Sequence, residues 1–216
     1  MRKKAMSLLA LSPLLALGAQ AAPAQAATTT WTVVNPNADG SFTTSGPLTA
    51  KNAAGQTLFT CANIPLKGTM ASGSTTYGQS LGKFTAYYQM ACTAPDGKAW
   101  FGILGTAIGP SYFRATAFNA ATGTTTVTHD GYTPATPVYI FAEQGSDPDC
   151  GFFVMSVAGT YSNATSTLKT TTALTRLGTP EGQEPLCQGQ LTEGETITFD
   201  GALKFNPAIK VTATTS

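Results

Sequence analysis

The stretch Lys83–Cys92 constrains the fold of this chain more than any other. Phe84, Ala86, Tyr88, Met90 and Cys92 alternate with Lys83, Thr85, Tyr87, Gln89 and Ala91. Strict period-two alternation is the pattern of a β-strand with one face on a core and the other in water. The inward row ends on a cysteine, which can tie this strand covalently to another. Tyr87 falls on the outward row.

The same reading applied along the chain gives about a dozen short strands. Candidates are Gln56–Cys61, Lys98–Thr106, Val138–Glu143, Phe152–Tyr161, Thr167–Ala173, Glu195–Phe205 and Ile209–Thr214. Turn signals lie between them: Ala94-Pro95-Asp96-Gly97, Gly109-Pro110 and Asp200-Gly201. No segment beyond residue 26 keeps a 3.6-residue apolar period. Thr supplies about a fifth of the chain after that point and favours strands, as do Val, Tyr and Phe. The expected fold is all-β, an antiparallel sandwich or barrel.

Lys98–Thr106 is apolar on both faces and reads as a central strand covered on both sides. Its short connection to Tyr112–Asn119, around Gly109-Pro110, makes the two expected antiparallel neighbours.

Residues 1–26 read as a secretory signal peptide. Arg2, Lys3 and Lys4 open it, an apolar run follows to about Leu17, and Ala24-Gln25-Ala26 offers a cleavage site. The run is shorter than the roughly 20 residues of a membrane span. The reading is a protein secreted to the outside, soluble and without membrane insertion. Without the three basic residues of that segment, 9 Lys+Arg face 11 Asp+Glu. A charge near −2 provides no basic patch for nucleic acid or an anionic membrane.

Residues 27–216 show the same landmarks twice, over about 27–108 and 109–216. Trp31–Asn35, a turn to Gly40 and Ser41–Thr44 read as a hairpin, and so do Phe113–Asn119, a turn to Gly123 and Thr124–Val127. Each is followed by a cysteine (Cys61, Cys150), a Gly-Thr pair (Gly68-Thr69, Gly159-Thr160) and a second cysteine (Cys92, Cys187). This order suggests a diverged duplication whose halves share one core. Four cysteines in an exported chain read as two disulfides, with three pairings open. If each half keeps its own bridge, the pairs are Cys61–Cys92 and Cys150–Cys187. The long spacings and the single histidine argue against a metal site, and no cofactor loop is visible.

Several of these features carry a resemblance. They are Thr30-Trp31-Thr32-Val33 with Asn35 and Gly40-Ser41-Phe42, Leu58-Phe59-Thr60-Cys61 before Gly68-Thr69 and Cys92, and Phe118-Asn119-Ala120-Ala121-Thr122-Gly123 before Cys150 and Gly159-Thr160. Together they resemble a group of small secreted actinobacterial proteins, Thr/Gly-rich and with four cysteines. The resemblance covers nearly all of the chain after the leader. It implies location and fold, and it transfers no catalytic residue.

Candidates for chemistry are few. His129, in Thr128-His129-Asp130-Gly131, reads as a polar residue at a hairpin end, with Asp130 on the opposite strand face. The acidic loop from Glu143 to Cys150 carries Asp147 and Asp149. These two are candidate calcium ligands, or a carboxylate pair for glycoside hydrolysis, and otherwise an ordinary turn. Glu181, Glu184, Glu193 and Glu195 read as a solvated face. Tyr87, Trp100, Tyr112 and Tyr132 are candidates for stacking on sugar faces. The expected function is a non-catalytic binding or structural protein of the cell surface or medium, with a cell-wall or extracellular glycan as partner. The rival is an extracellular glycosidase-like hydrolase using the acidic-loop carboxylates.

Overall fold

A computed structural model describes residues 29–76, 78–85, 89–104, 110–131, 137–143, 151–177, 191 and 195–216. Residues 1–26, Tyr87, Tyr132, Asp147, Asp149, Cys150, Glu181, Glu184, Cys187 and Glu193 lie outside them.

The described residues form sixteen strands and no helix. β1 (Thr29–Val34), β6 (Gly73–Thr76) and β16 (Lys210–Thr215) make a small sheet with β1 in the centre. The other thirteen form one antiparallel sheet. They are β2 (Ser41–Ser45), β3 (Leu48–Lys51), β4 (Thr57–Cys61), β5 (Lys67–Thr69), β7 (Ser80–Phe84) and β8 (Met90–Thr93). Then come β9 (Ala99–Leu104), β10 (Ser111–Asn119), β11 (Thr124–Asp130), β12 (Tyr139–Glu143), β13 (Gly151–Ser162), β14 (Thr167–Leu177) and β15 (Thr196–Asn206).

This large sheet closes on itself twice. The first circuit runs β11-β10-β7-β5-β2-β15-β14-β13 and returns to β11. The second runs β13-β12-β9-β8-β4-β3-β15-β14 and returns to β13. The long strands β13, β14 and β15 are common to both. One edge of β13 serves β12 with Gly151–Val154 and β11 with Ser156–Ser162. The far edge of β15 serves β3 with Thr198–Gly201 and β2 with Lys204–Asn206. Closure removes the unpaired edges that an open sheet would present.

The handover from β2 to β3 rests on Gly46. Its φ is +150°, and a Cβ there would lie 2.1 Å from the Ala202 carbonyl oxygen. The Gly46 N–H is held by Asn63 Oδ1 at 2.9 Å, and its carbonyl accepts from Ile64 N at 2.8 Å. A side chain cannot occupy that space, so only glycine lets the chain pass between circuits at this point.

The inward rows of both circuits join in one core. Phe42, Phe84, Phe113, Tyr161 and Phe205 form an aromatic cluster in the first circuit. Phe59, Trp100, Tyr139, Phe141, Phe152 and Phe199 form one in the second. His129 touches both, 4.3 Å from the Phe84 ring and 5.4 Å from that of Tyr139.

Four expectations change. Lys83–Cys92 is two strands rather than one: β7 pairs with β5 and β10, and β8 with β4 and β9. The alternation still sets the faces, with Phe84, Met90 and Cys92 buried and Lys83, Gln89 and Ala91 exposed. Trp31–Asn35 and Ser41–Thr44 do not form a hairpin, because β1 joins the small sheet and β2 the large one. Asn35 turns that corner: its Nδ2 donates to the carbonyls of Gly40 and Met70, and its Oδ1 accepts from Asn37 N. β9 and β10 are not neighbours, since β9 lies between β8 and β12 and β10 between β7 and β11. Finally, β9 is covered on one face: Trp100 and Gly102 are buried, while Phe101 and Ile103 are only half-buried. The hairpin of β10 and β11 forms as expected.

Candidate functional site

The ladder between β4 and β8 is only two pairs long, Thr60 with Thr93 and Cys61 with Cys92. Beyond it the two strands part toward their hairpin turns. A cleft of about 250 Å³ opens between them, lined by Asn52, Gln56, Asp96, Lys98, Trp100 and Glu143 among others. The Cys61–Cys92 disulfide links β4 to β8 at the pair of this ladder farther from the turns, one pair behind the cleft, and is the pairing the duplication argument expects. Both cysteines are buried.

Each wall is a turn held by its own side chains. In the turn from β3 to β4, Asn52 Nδ2 donates to Gln56 Oε1 at 2.9 Å and Asn52 Oδ1 accepts from Gln56 N at 2.9 Å. In the turn from β8 to β9, Asp96 Oδ1 accepts from Lys98 N at 3.1 Å, and Gly97, with φ +86°, donates to the Ala94 carbonyl. Such Asx contacts lock short loops. Glu195, predicted as a solvated face, instead accepts from the Ala53 N–H at 2.6 Å, next to Asn52.

The floor is Glu143, the last residue of β12. It follows Tyr139 and Phe141 on the inward row and is only 9% exposed. Lys98 Nζ lies 2.7 Å from Glu143 Oε1 and 3.8 Å from Asp96 Oδ2. At 2.7 Å this is a close, charge-assisted ion pair. Glu143, with Asp96 adding to it, pushes the Lys98 amine above the ordinary lysine value. Lys98 itself stands half in solvent. A buried carboxylate is thus neutralised by a half-exposed cation, and Asp96, Glu143 and Lys98 together leave the cleft net negative.

Trp100 lines the cleft but is almost fully enclosed. It is 3% exposed, with its ring stacked on Phe59 at 5.0 Å and tilted against Phe152 at 6.0 Å. The expectation of a free indole face for sugar stacking is corrected: Trp100 faces Cys92 on the inward row of β8 and β9, and the core takes its faces. Tyr112 is half-buried on the outside of β10, and the Arg114 guanidinium lies over its ring at 5.3 Å.

His129 is the second correction. It is 3% exposed and lies within β11, not at a hairpin end. Its Nε2 is 2.7 Å from Ser111 Oγ, and its Nδ1 is 3.2 Å from the Tyr139 hydroxyl. Burial lowers its pKa from 6.5 to about 3, so the imidazole is neutral. Burial also pushes the Tyr139 hydroxyl above the usual tyrosine value. Asp130 lies on the opposite face, as adjacent strand positions must, and accepts from Ser156 and Thr128 at 2.7 Å each. Ser111, His129 and Tyr139 therefore form a closed polar link inside the core rather than a nucleophile facing substrate.

Two other spaces are less suited to a ligand. The cavity inside the circuits has room for about 10 Å³, at most one water. A groove of about 530 Å³ along β2 and β5 is more open, and its Lys67, Asn37 and Thr69 are at the surface or half-buried.

Among the described residues, no three His, Cys, Asp or Glu side chains gather as a metal site, and no helix is long and apolar enough to cross a membrane. Comparison with protein-family models, curated proteins and solved structures finds no match to this chain.

Proposed function

We propose that this chain is a secreted, non-catalytic binding protein of the cell surface or medium, of the actinobacterial four-cysteine kind it resembles. Its ligand is taken in the cleft between the β3–β4 and β8–β9 turns, and a cell-wall or extracellular glycan is the expected partner. The observation that carries this reading is the Glu143 carboxylate, set on the floor of a cleft whose walls are stapled by Cys61–Cys92. Rigid walls and a few converging polar groups make a recognition site.

The hydrolase reading rests on Asp147 and Asp149, which lie outside the described residues, and the carboxylates of the cleft do not supply a substitute pair. The Lys98 ammonium sits against both Asp96 and Glu143, where an acid and base pair would need room for the scissile bond. The remaining serine–histidine contact is enclosed by the core.

The test is retention of the full chain on cell-wall fractions and soluble glycans, beside Glu143→Gln and a turnover assay on the same materials. Retention lost in Glu143→Gln, without turnover, is the expected result. Turnover by the wild type that disappears in the Asp147→Asn, Asp149→Asn double variant would replace this reading with the hydrolase.

A further inference from the structure

A carboxylate that is nine-tenths buried requires a positive partner, because burying it alone is costly. Among the described residues the cation that contacts Glu143 is Lys98, and its side chain is 47% exposed on a hairpin turn. Among the described residues this contact, with Asp96 farther off at 3.8 Å, is what holds the ammonium in the cleft. Lys98 Nζ thus occupies the place where the positive group of a ligand would lie, and a lysine stem can swing into water at little cost.

We infer that the cleft recognises a primary ammonium group, carried by an amino sugar or a lysine side chain, which displaces Lys98 from Glu143. This rests on the cleft being the binding site. Three features of the site favour an ammonium over other ligands. A compact cation satisfies Glu143 without leaving it buried and uncompensated. Asp96 at one wall keeps the surroundings negative once Lys98 has left. The volume, about 250 Å³, is below the roughly 300–1,000 Å³ of pockets that enclose whole small molecules, so it suits a single group or ring. In this arrangement Lys98 is a tethered competitor: it keeps Glu143 neutralised in the free protein and weakens ligand binding by the worth of its own ion pair.

The prediction that follows runs opposite to that for a contact residue. Lys98→Met should tighten ammonium binding about fivefold, the equivalent of one ion pair near a surface. Glu143→Gln alone should weaken amine binding, and in the double variant it should abolish that gain. The experiment titrates the full chain and these variants with n-butylamine, glucosamine, Nα-acetyl-lysine amide and, as neutral control, N-acetylglucosamine, following amide shifts. Expected are saturable shifts at Asn52, Asp96, Lys98 and Glu143 with the three amines, weaker ones with N-acetylglucosamine, and tighter binding in Lys98→Met. The stronger of glucosamine and the lysine derivative identifies the source of the group. Amine binding unchanged or weakened in Lys98→Met overturns the inference. If the neutral sugar saturates the cleft and the amines do not, the ammonium reading fails while the cleft stands. If no probe moves the cleft residues, and envelope glycans do not either, both fail.

Discussion

Ser111 and His129 meet side chain to side chain across the β10–β11 pair, with Oγ 2.7 Å from Nε2, and Tyr139 closes the other ring nitrogen. Through this contact the one histidine of the chain joins the aromatic clusters of the two circuits. Its burial gives it a thermodynamic signature.

Unfolded, His129 takes up a proton below about pH 6.5, and folded only near pH 3. The unfolded state therefore binds more protons across that window. The contribution is fully present above pH 6.5 and lost as pH falls toward 3, at about 1.4 kcal/mol per pH unit. Between pH 6.5 and 5, where ordinary carboxylates titrate little, stability should fall by about 2 kcal/mol. In His129→Gln that slope should flatten. Urea midpoints measured against pH check this, and an equal slope in both proteins would show that His129 is not buried neutral.

Gly46→Ala should cost about 1–3 kcal/mol or more, because it combines a backbone conformation disfavoured for side chains with a collision on Ala202. Gly151→Ala is the control. The nearest atom to its added Cβ is at 3.4 Å, so stability should hardly change. Thermal melts of the two variants compare them directly.

Removing the Cys61–Cys92 bridge as a double alanine variant should cost about 3–4 kcal/mol, from the loop closed by a sequence separation of 31. Because the bridge backs the two-pair ladder directly behind Thr60 and Thr93, the variant should also show faster hydrogen exchange at Thr60 and Thr93 than at β13 and β14. Uniform exchange would mean that the bridge does not hold the cleft walls together.

Most strands could be read from alternation because period two reports which face is buried. It does not report which strand lies alongside, and there the expectations for Lys83–Cys92, Trp31–Thr44 and the β9–β10 pair gave way. The neighbours are set by ring closure, a long-range property shared among thirteen strands. Two site residues carried a signal that went unused. His129 has the inward parity of Thr125 and Val127, and Glu143 that of Tyr139 and Phe141. Polar residues on a buried row are the ones with a partner to find. Lys98 offered no such sign, because it reaches Glu143 through ring closure, which places β9 beside β12.

The most direct measurement of the account is amide-shift mapping of the full chain during titration with a soluble cell-wall glycan fraction. The account predicts saturable shifts concentrated at Asn52, Gln56, Asp96, Lys98 and Glu143, with the groove along β2 and β5 unmoved and the response lost in Glu143→Gln. Saturable shifts in that groove or on the small sheet, with the cleft silent, would contradict it.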